Sequence, residues 1–192
     1  MSNYKTVFFI LGVLQIILGL SMIVPIMAQF YYNQVDSGFI GSGLVSIIFG
    51  VLFFLSNLDY EKKLTLPQAF LLTALSWLSI AIFGSLPFVF SDLSLSFTNA
   101  FFESMSGITT TGSTILTNLN ETPKAILLWR AMLQWLGGIG IIVMAITLMP
   151  IMNIGGMQLF VISNTHTPEK ILPKSKEISI RLIAIYLSLI HI

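Results

Sequence analysis

Four long apolar runs dictate what this chain can fold into. Val7 to Phe30 is interrupted only by Gln15, Ser21 and Gln29 among polar residues, Gly38 to Asn57 and Gln68 to Phe90 carry no formal charge, and Pro123 to Met149 carries Lys124 and Arg130 alone. At 1.5 Å of rise per residue, about 20 apolar residues cross the hydrocarbon of a bilayer, so each run predicts a transmembrane helix. Composition agrees: 55% of the 192 residues are hydrophobic and 9% are charged, where soluble domains carry roughly 25% charged residues. A net charge of +1 offers no basic surface for nucleic acid. The absence of cysteine removes disulfides, Cys-ligated zinc and iron–sulfur clusters. His166 and His191 are too far apart in sequence to read as paired metal ligands.

The polar links order the runs. The first run is too long for a signal peptide, has only Lys5 before it and lacks a good cleavage site, so it is a retained helix with a kink expected at Pro25. Residues 1–60 thus form two leading helices. Gly41, Ser42, Gly43, Ser46 and Gly50 give the second a small-residue face able to dock another helix of the same chain. Asp59 to Pro67 is a charged link before the third run, and Pro123 suits the first turn of the fourth, which Gly137, Gly138 and Gly140 should loosen or bend. Residues 150–178, with Glu169, Lys170, Lys174, Lys176 and Glu177, read as a solvent-facing connector. Residues 179–192 start a fifth apolar run and stop about halfway, so the chain reads as the N-terminal fragment of a longer polytopic protein. With the N-terminus inside, Lys5, Lys62, Lys63, Lys170, Lys174, Lys176 and Arg181 are cytoplasmic and only Lys124 and Arg130 lie outward, as the positive-inside rule prefers.

Between the third and fourth runs, after the polar turn Asp92 to Ser96, lies FTNAFFESMSGITTTGS, residues 97–113. It begins as an apolar helical stretch over 97–107, too short to span, and passes into Thr109, Thr110, Thr111 and Gly112. Threonine is stiff at χ1 and glycine readily takes positive φ, so the backbone should leave the helix there and run extended. A membrane accepts such backbone only where protein buries it or it lines a watery path. The charge bias makes the segment a re-entrant hairpin entered from the outer face. Extended Thr/Gly backbone can aim successive carbonyls at one axis, as a cation shedding its water shell requires. The C-terminal end of the half-helix adds partial negative charge near Gly107 and Thr109.

The patterns FFESMSGITTTGST, LLWRAMLQWLGGIGIIVMAITLMPI and NIGGMQLF resemble the Trk/Ktr superfamily of potassium transporters, and the two leading helices favour the Trk type. The resemblance implies an all-α polytopic membrane protein whose pore has four helix–pore-loop–helix units on one axis. Residues 68–149 would be the first unit, with its filter loop at 109–113. Thr109, Thr110, Thr111 and Gly112 would then supply one quarter of the selectivity filter, with potassium at Thr110, Thr111 and Gly112. Gly107, Ser113, Glu103 and Arg130 would support it. The same resemblance implies a homodimer, a cytosolic nucleotide-binding regulatory subunit and a bacterial inner-membrane location. It leaves open K⁺ against Na⁺ and coupling to H⁺ or Na⁺; no covalently bound cofactor is expected.

Other readings are weaker. Gly107 to Ser113 has the glycine spacing of a phosphate-binding loop but lacks its lysine and its preceding strand. A membrane enzyme should show paired carboxylates, a Ser/His pair or H-E-x-x-H within the spans, and none occurs. An assembly subunit would leave the pore-loop pattern unexplained. Glu103 either recruits ions or, as the better reading, braces the filter, with Arg130 about two turns into the fourth run as its partner. Gln134 and Trp135 either line the pore or pack, and Trp77 and Trp129 are interfacial anchors or bundle residues.

Overall fold

A computed structural model describes residues 4–34, 36–60, 64–152, 180, 181, 184–186 and 188. It is all helical among these residues: α1 (Lys5–Ser21), α2 (Ile23–Tyr31), α3 (Gly38–Ser56), α4 (Leu66–Phe90), α5 (Phe97–Ile108) and α6 (Lys124–Met152). Four stretches are long and apolar enough to cross a membrane: Lys5–Tyr31, Gly38–Ser56, Leu66–Phe90 and Lys124–Ile142. The chain divides into two compact units, Met1–Gly137 and Gly138–Ile192. The second holds the later part of α6 and helical residues at 180, 181, 184–186 and 188. Beyond Met152, the expected connector and most of the fifth run lie outside the described residues.

Pro25 acts one turn upstream of itself. Proline has no N–H to give the carbonyl four residues back, and its ring crowds that carbonyl. The position four back is Ser21, where α1 ends; Met22 intervenes, and α2 restarts with the Ile26 N–H donating to Met22 O at 3.2 Å. The kink expected at Pro25 therefore appears as a break at Met22. At the head of α4, Thr65 and Gln68 form a capping box, with the Thr65 N–H donating to Gln68 Oε1 at 2.9 Å, so the helix starts two residues before Gln68.

The small-residue face of α3 docks on α1. A Cβ added to Gly50 would lie 2.8 Å from Ile16 N and 2.9 Å from Gly12 O, and one on Gly12 would lie 2.6 Å from Phe54 N. Only glycine permits this approach. Higher up, Gly19 faces the Gly43 carbonyl in the same way. Ser42 and Ser46 are buried but return their hydroxyls to their own helix, donating to Gly38 O and Ser42 O. Gly41 lies off this face, where an added Cβ would meet only Phe90 at ordinary contact distance.

The leading helices also pack on α4, where the buried Gln15 donates through Nε2 to Ser79 Oγ at 2.6 Å. At the centre, Leu18, Met22, Phe39, Phe88, Ala100, Trp129 and Leu133 share one apolar cluster. Trp129 is wholly buried there, and its indole N–H donates to Gly84 O at 2.9 Å. It is thus a bundle residue.

Gly50→Val should force α1 and α3 apart, an overpacking cost of about 1–3 kcal/mol. Its thermal midpoint in detergent should fall while Gly41→Ala stays within about 0.5 kcal/mol of the parent. Equal midpoints for the two variants would show that the glycine contact is dispensable.

Candidate functional site

The half-helix α5 is held at three levels. Its first turn is capped by Ser96, whose Oγ accepts from the Asn99 N–H at 3.4 Å. Its middle lies against α4, where a Cβ on Gly84 would come 2.8 Å from Ser104 Oγ. Its end lies against α6, where a Cβ on Gly107 would come 3.1 Å from Leu133 Cβ, and one on Gly137 only 1.8 Å from Ile108 O. Gly137 is therefore the seat for the last carbonyl of the half-helix, and α6 runs through it and the next glycines without a break.

The helix stops in a Schellman motif. The Thr111 N–H reaches back to Ser106 O at 3.0 Å and the Thr110 N–H to Gly107 O at 2.9 Å. The residue in the left-handed position is Thr110, with φ 59°. Glycine usually sits there; a β-branched residue with positive φ is an outlier that costs roughly 1–2 kcal/mol. Gly112 follows with φ 79°, and its N–H also donates to Ser106 O, at 3.3 Å. The chain thus leaves the helix through a tight turn, and residues 111–116 carry no regular structure.

Glu103 and Arg130 pin this loop from behind. Glu103 is wholly buried, and its Oε1 accepts from Arg130 Nε in an ion pair. Its Oε2 accepts from the Ile115 N–H at 3.0 Å. Arg130 Nη2 reaches on to Gly112 O at 3.1 Å and Ser113 O at 3.2 Å. Ser113 O also accepts from Ser106 Oγ at 2.6 Å. One buried carboxylate, one guanidinium and one serine hydroxyl therefore hold both strands of the hairpin.

The front of the loop is different. Thr109, Thr110, Thr111 and Gly112 are exposed. The Thr109 hydroxyl donates to Met105 O at 2.7 Å and lies 2.8 Å from that of Thr111. The carbonyls of Thr109, Thr110 and Thr111 accept no hydrogen bond from the described residues. Gln134 flanks the turn, its Nε2 lying 3.8 Å from where a Gly112 Cβ would be. No group of three His, Cys, Asp or Glu able to hold a metal occurs among the described residues.

The sequence profile of TrkH, described as a cation transport protein, matches residues 5–192. The chain belongs to the TrkH family of cation transport proteins. It is 38% identical over 178 residues to the Trk system potassium uptake protein TrkI of Halomonas elongata, covering 92% of this chain and 36% of that protein. It is 39% identical over 160 residues to TrkH of Escherichia coli, covering 82% of this chain and 33% of that one. The crystal structure of the potassium transporter TrkH from Vibrio parahaemolyticus superposes with a TM-score of 0.84 at 34% identity, over 98% of this chain and 38% of that one. The chain thus spans little more than a third of these TrkH-family relatives. It is a multi-pass membrane protein of a transporter family, and its all-helical fold matches that structure.

Within this TrkH-family chain the structure brings Glu103, Arg130, Gly112 and Ser113 into one network, with Ser113 taking part through its carbonyl. Gly107 contributes by its lack of a side chain. Ser106, Ile115 and Gly137 were not singled out from sequence as site residues. A run of glycines in α6 was the one signal for Gly137, and it reads as loosening until Ile108 is seen opposite.

Glu103→Gln sets an amide NH2 against one of two donors, Arg130 Nε–H or the Ile115 N–H, and Arg130→Gln leaves a buried carboxylate unpaired; each should cost about 3–5 kcal/mol. The double variant should be less destabilised than the two singles summed, as thermal melts of the full-length protein would show; strict additivity would mean the pair is not coupled. Thr110→Gly relieves a left-handed threonine and should leave stability equal or raise it by about 1 kcal/mol. A clear fall in midpoint would mean that the threonine side chain holds the turn.

Proposed function

We propose that residues 109–112 form one quarter of a potassium-selective filter, and that the full-length protein takes up potassium across the bacterial inner membrane. The observation that carries this is the two-sidedness of the loop. Behind it, Arg130 occupies the Gly112 and Ser113 carbonyls, and the N–H groups of the turn occupy those of Met105, Ser106 and Gly107. In front, three successive carbonyls from Thr109 to Thr111 are free of donors among the described residues. Rings of such carbonyls replace the hydration shell of an ion in a filter. The negative end of the half-helix favours a cation at the same place. The relatives support the choice of ion, since their names describe potassium uptake and the matching structure is of a potassium transporter.

In this proposal residues 68–149 make the first of four units, and potassium is held at Thr110, Thr111 and Gly112, whose carbonyl keeps a second lone pair beside the one that accepts from Arg130. Gly107, Ser113, Glu103 and Arg130 support the filter. The N-terminus is cytoplasmic, in keeping with the seven-to-two split of Lys and Arg. The full-length protein works as a homodimer with a cytosolic nucleotide-binding subunit. Uptake involves no covalent chemistry, and any coupling would be to H⁺ or Na⁺.

The full-length protein should restore growth of a potassium-uptake-deficient strain at low potassium. Gly112→Asp should abolish that rescue at unchanged membrane abundance, because it sets a side chain and a fixed charge in the path beside the filter carbonyls. Full rescue by Gly112→Asp would remove the filter assignment, and equal uptake of sodium by the parent would remove the choice of potassium.

A further inference from the structure

Reading residues 109–112 as a filter gives the leading helices α1 to α3 no task. The turn between α2 and α3 supplies one. α2 ends in a Schellman motif of its own, with Asn33 at φ 54°, the Gln34 N–H donating to Gln29 O at 2.9 Å and the Asn33 N–H to Phe30 O at 3.3 Å. Asparagine accepts the left-handed position readily, so Gln34 leaves the helix in a fixed direction. Its side-chain Oε1 accepts from the N–H of Lys124, the first residue of α6, at 3.1 Å. Asp36 is fixed locally as well, since its Oδ1 accepts from the Gly38 N–H at 2.8 Å in an Asx-turn. Its Oδ2 accepts from the Asp92 N–H at 3.1 Å.

Asp92 and Lys124 are the two mouths of the re-entrant segment, one just past α4 and the other opening α6. Side chains two residues apart on one turn thus hold both. These are not local caps, because the partners are 56 and 90 residues away in sequence. Two contacts back them up. A Cβ on Gly38 would lie 2.8 Å from Phe90 C and Ser91 N, so α3 begins directly on the end of α4. Phe39 is wholly buried and meets Trp129 of α6 edge-on, with ring centroids 6.2 Å apart and planes at 83°.

We propose that the leading helices are a clasp on the pore loop, in which Gln34 and Asp36 are positioning residues that fix the spacing of its two mouths and through it the frame of the filter segment. The mechanical part stands on these contacts alone; its effect on ion selection rests on the filter reading above.

The test uses full-length protein carrying Gln34→Ala together with Asp36→Ala. Amide hydrogen exchange in detergent is followed over 92–123 and, as the internal reference, over α1 and the part of α3 beyond its first turn; uptake in cells gives the KM for potassium and the K⁺/Na⁺ ratio. Losing the two hydrogen bonds to Asp92 and Lys124 should speed exchange over 92–123 by about tenfold while α1 and α3 beyond its first turn stay unchanged. The KM for potassium should rise, or the K⁺/Na⁺ ratio fall, by about threefold or more. Unchanged exchange over 92–123, or an equal rise in α1 and in α3 beyond its first turn, overturns the clasp. A local rise with unaltered KM and ion ratio overturns the positioning role. A local rise where even the parent takes up no potassium upholds the clasp and removes the filter reading instead. If the double variant fails to reach the membrane, Gln34→Ala and Asp36→Asn alone, each removing part of the contact, are held to the same criteria.

Discussion

The buried carboxylate of Glu103 is the interaction on which the rest of the pore unit depends. A lone charge taken out of water costs several kcal/mol even after relaxation. Here both oxygens are occupied, one by Arg130 Nε and the other by the Ile115 N–H. Those two partners come from opposite directions: Arg130 from the long helix α6, Ile115 from the returning strand of the hairpin. The half-helix α5 has twelve residues and cannot reach across a bilayer. Its attachment to α6 and to the hairpin therefore runs through this carboxylate, together with the glycine contacts at its end. The guanidinium then extends the same network to the Gly112 and Ser113 carbonyls. Its planar fork makes this possible, because a lysine ammonium is one compact charge and could not set Nε and Nη2 donors at two places in a fixed geometry.

A division of labour along the loop follows. Carbonyls that face the protein are occupied: Met105, Ser106 and Gly107 by the turn, Gly112 and Ser113 by Arg130. Between them the Ile108 carbonyl packs on Gly137, and those of Thr109, Thr110 and Thr111 are not occupied by any described residue. The left-handed Thr110 produces this switch, since its positive φ reverses the chain while the N–H groups of Thr110 and Thr111 still point back at the helix. Strain of this kind persists only where the surroundings over-determine it. The surroundings do so here, with Arg130 on one side of the turn and Gly137 under Ile108 on the other.

Much of this was legible in the residues, and the exceptions have physical causes. Long uncharged runs mark the spans because hydrophobicity acts on length and composition alone. Glu103 and Arg130 stood out because each is a charge in apolar sequence, and charges in such places need partners. Gly137 did not stand out, because glycine in a helix signals flexibility unless the group opposite it is known. Thr110 misleads for a similar reason: threonine's preference is for extended backbone, and tertiary contacts overrode it. Gln34 and Asp36 looked like an ordinary polar link, since no periodicity connects them to residues 56 or more positions away.

The loop makes sense only in company. Water at a protein surface would satisfy the Thr109, Thr110 and Thr111 carbonyls at little cost. Within a bilayer, irregular backbone is tolerated only where it borders an aqueous cavity or other protein. A chain that invested a buried ion pair, a strained threonine and a glycine seat in holding three adjacent carbonyls clear of their own fold needs something to meet them. A partly dehydrated cation on an axis shared with further loops meets all three at once. A second protein surface would instead have to bring three donors at matching spacing, and a bare lipid face brings none.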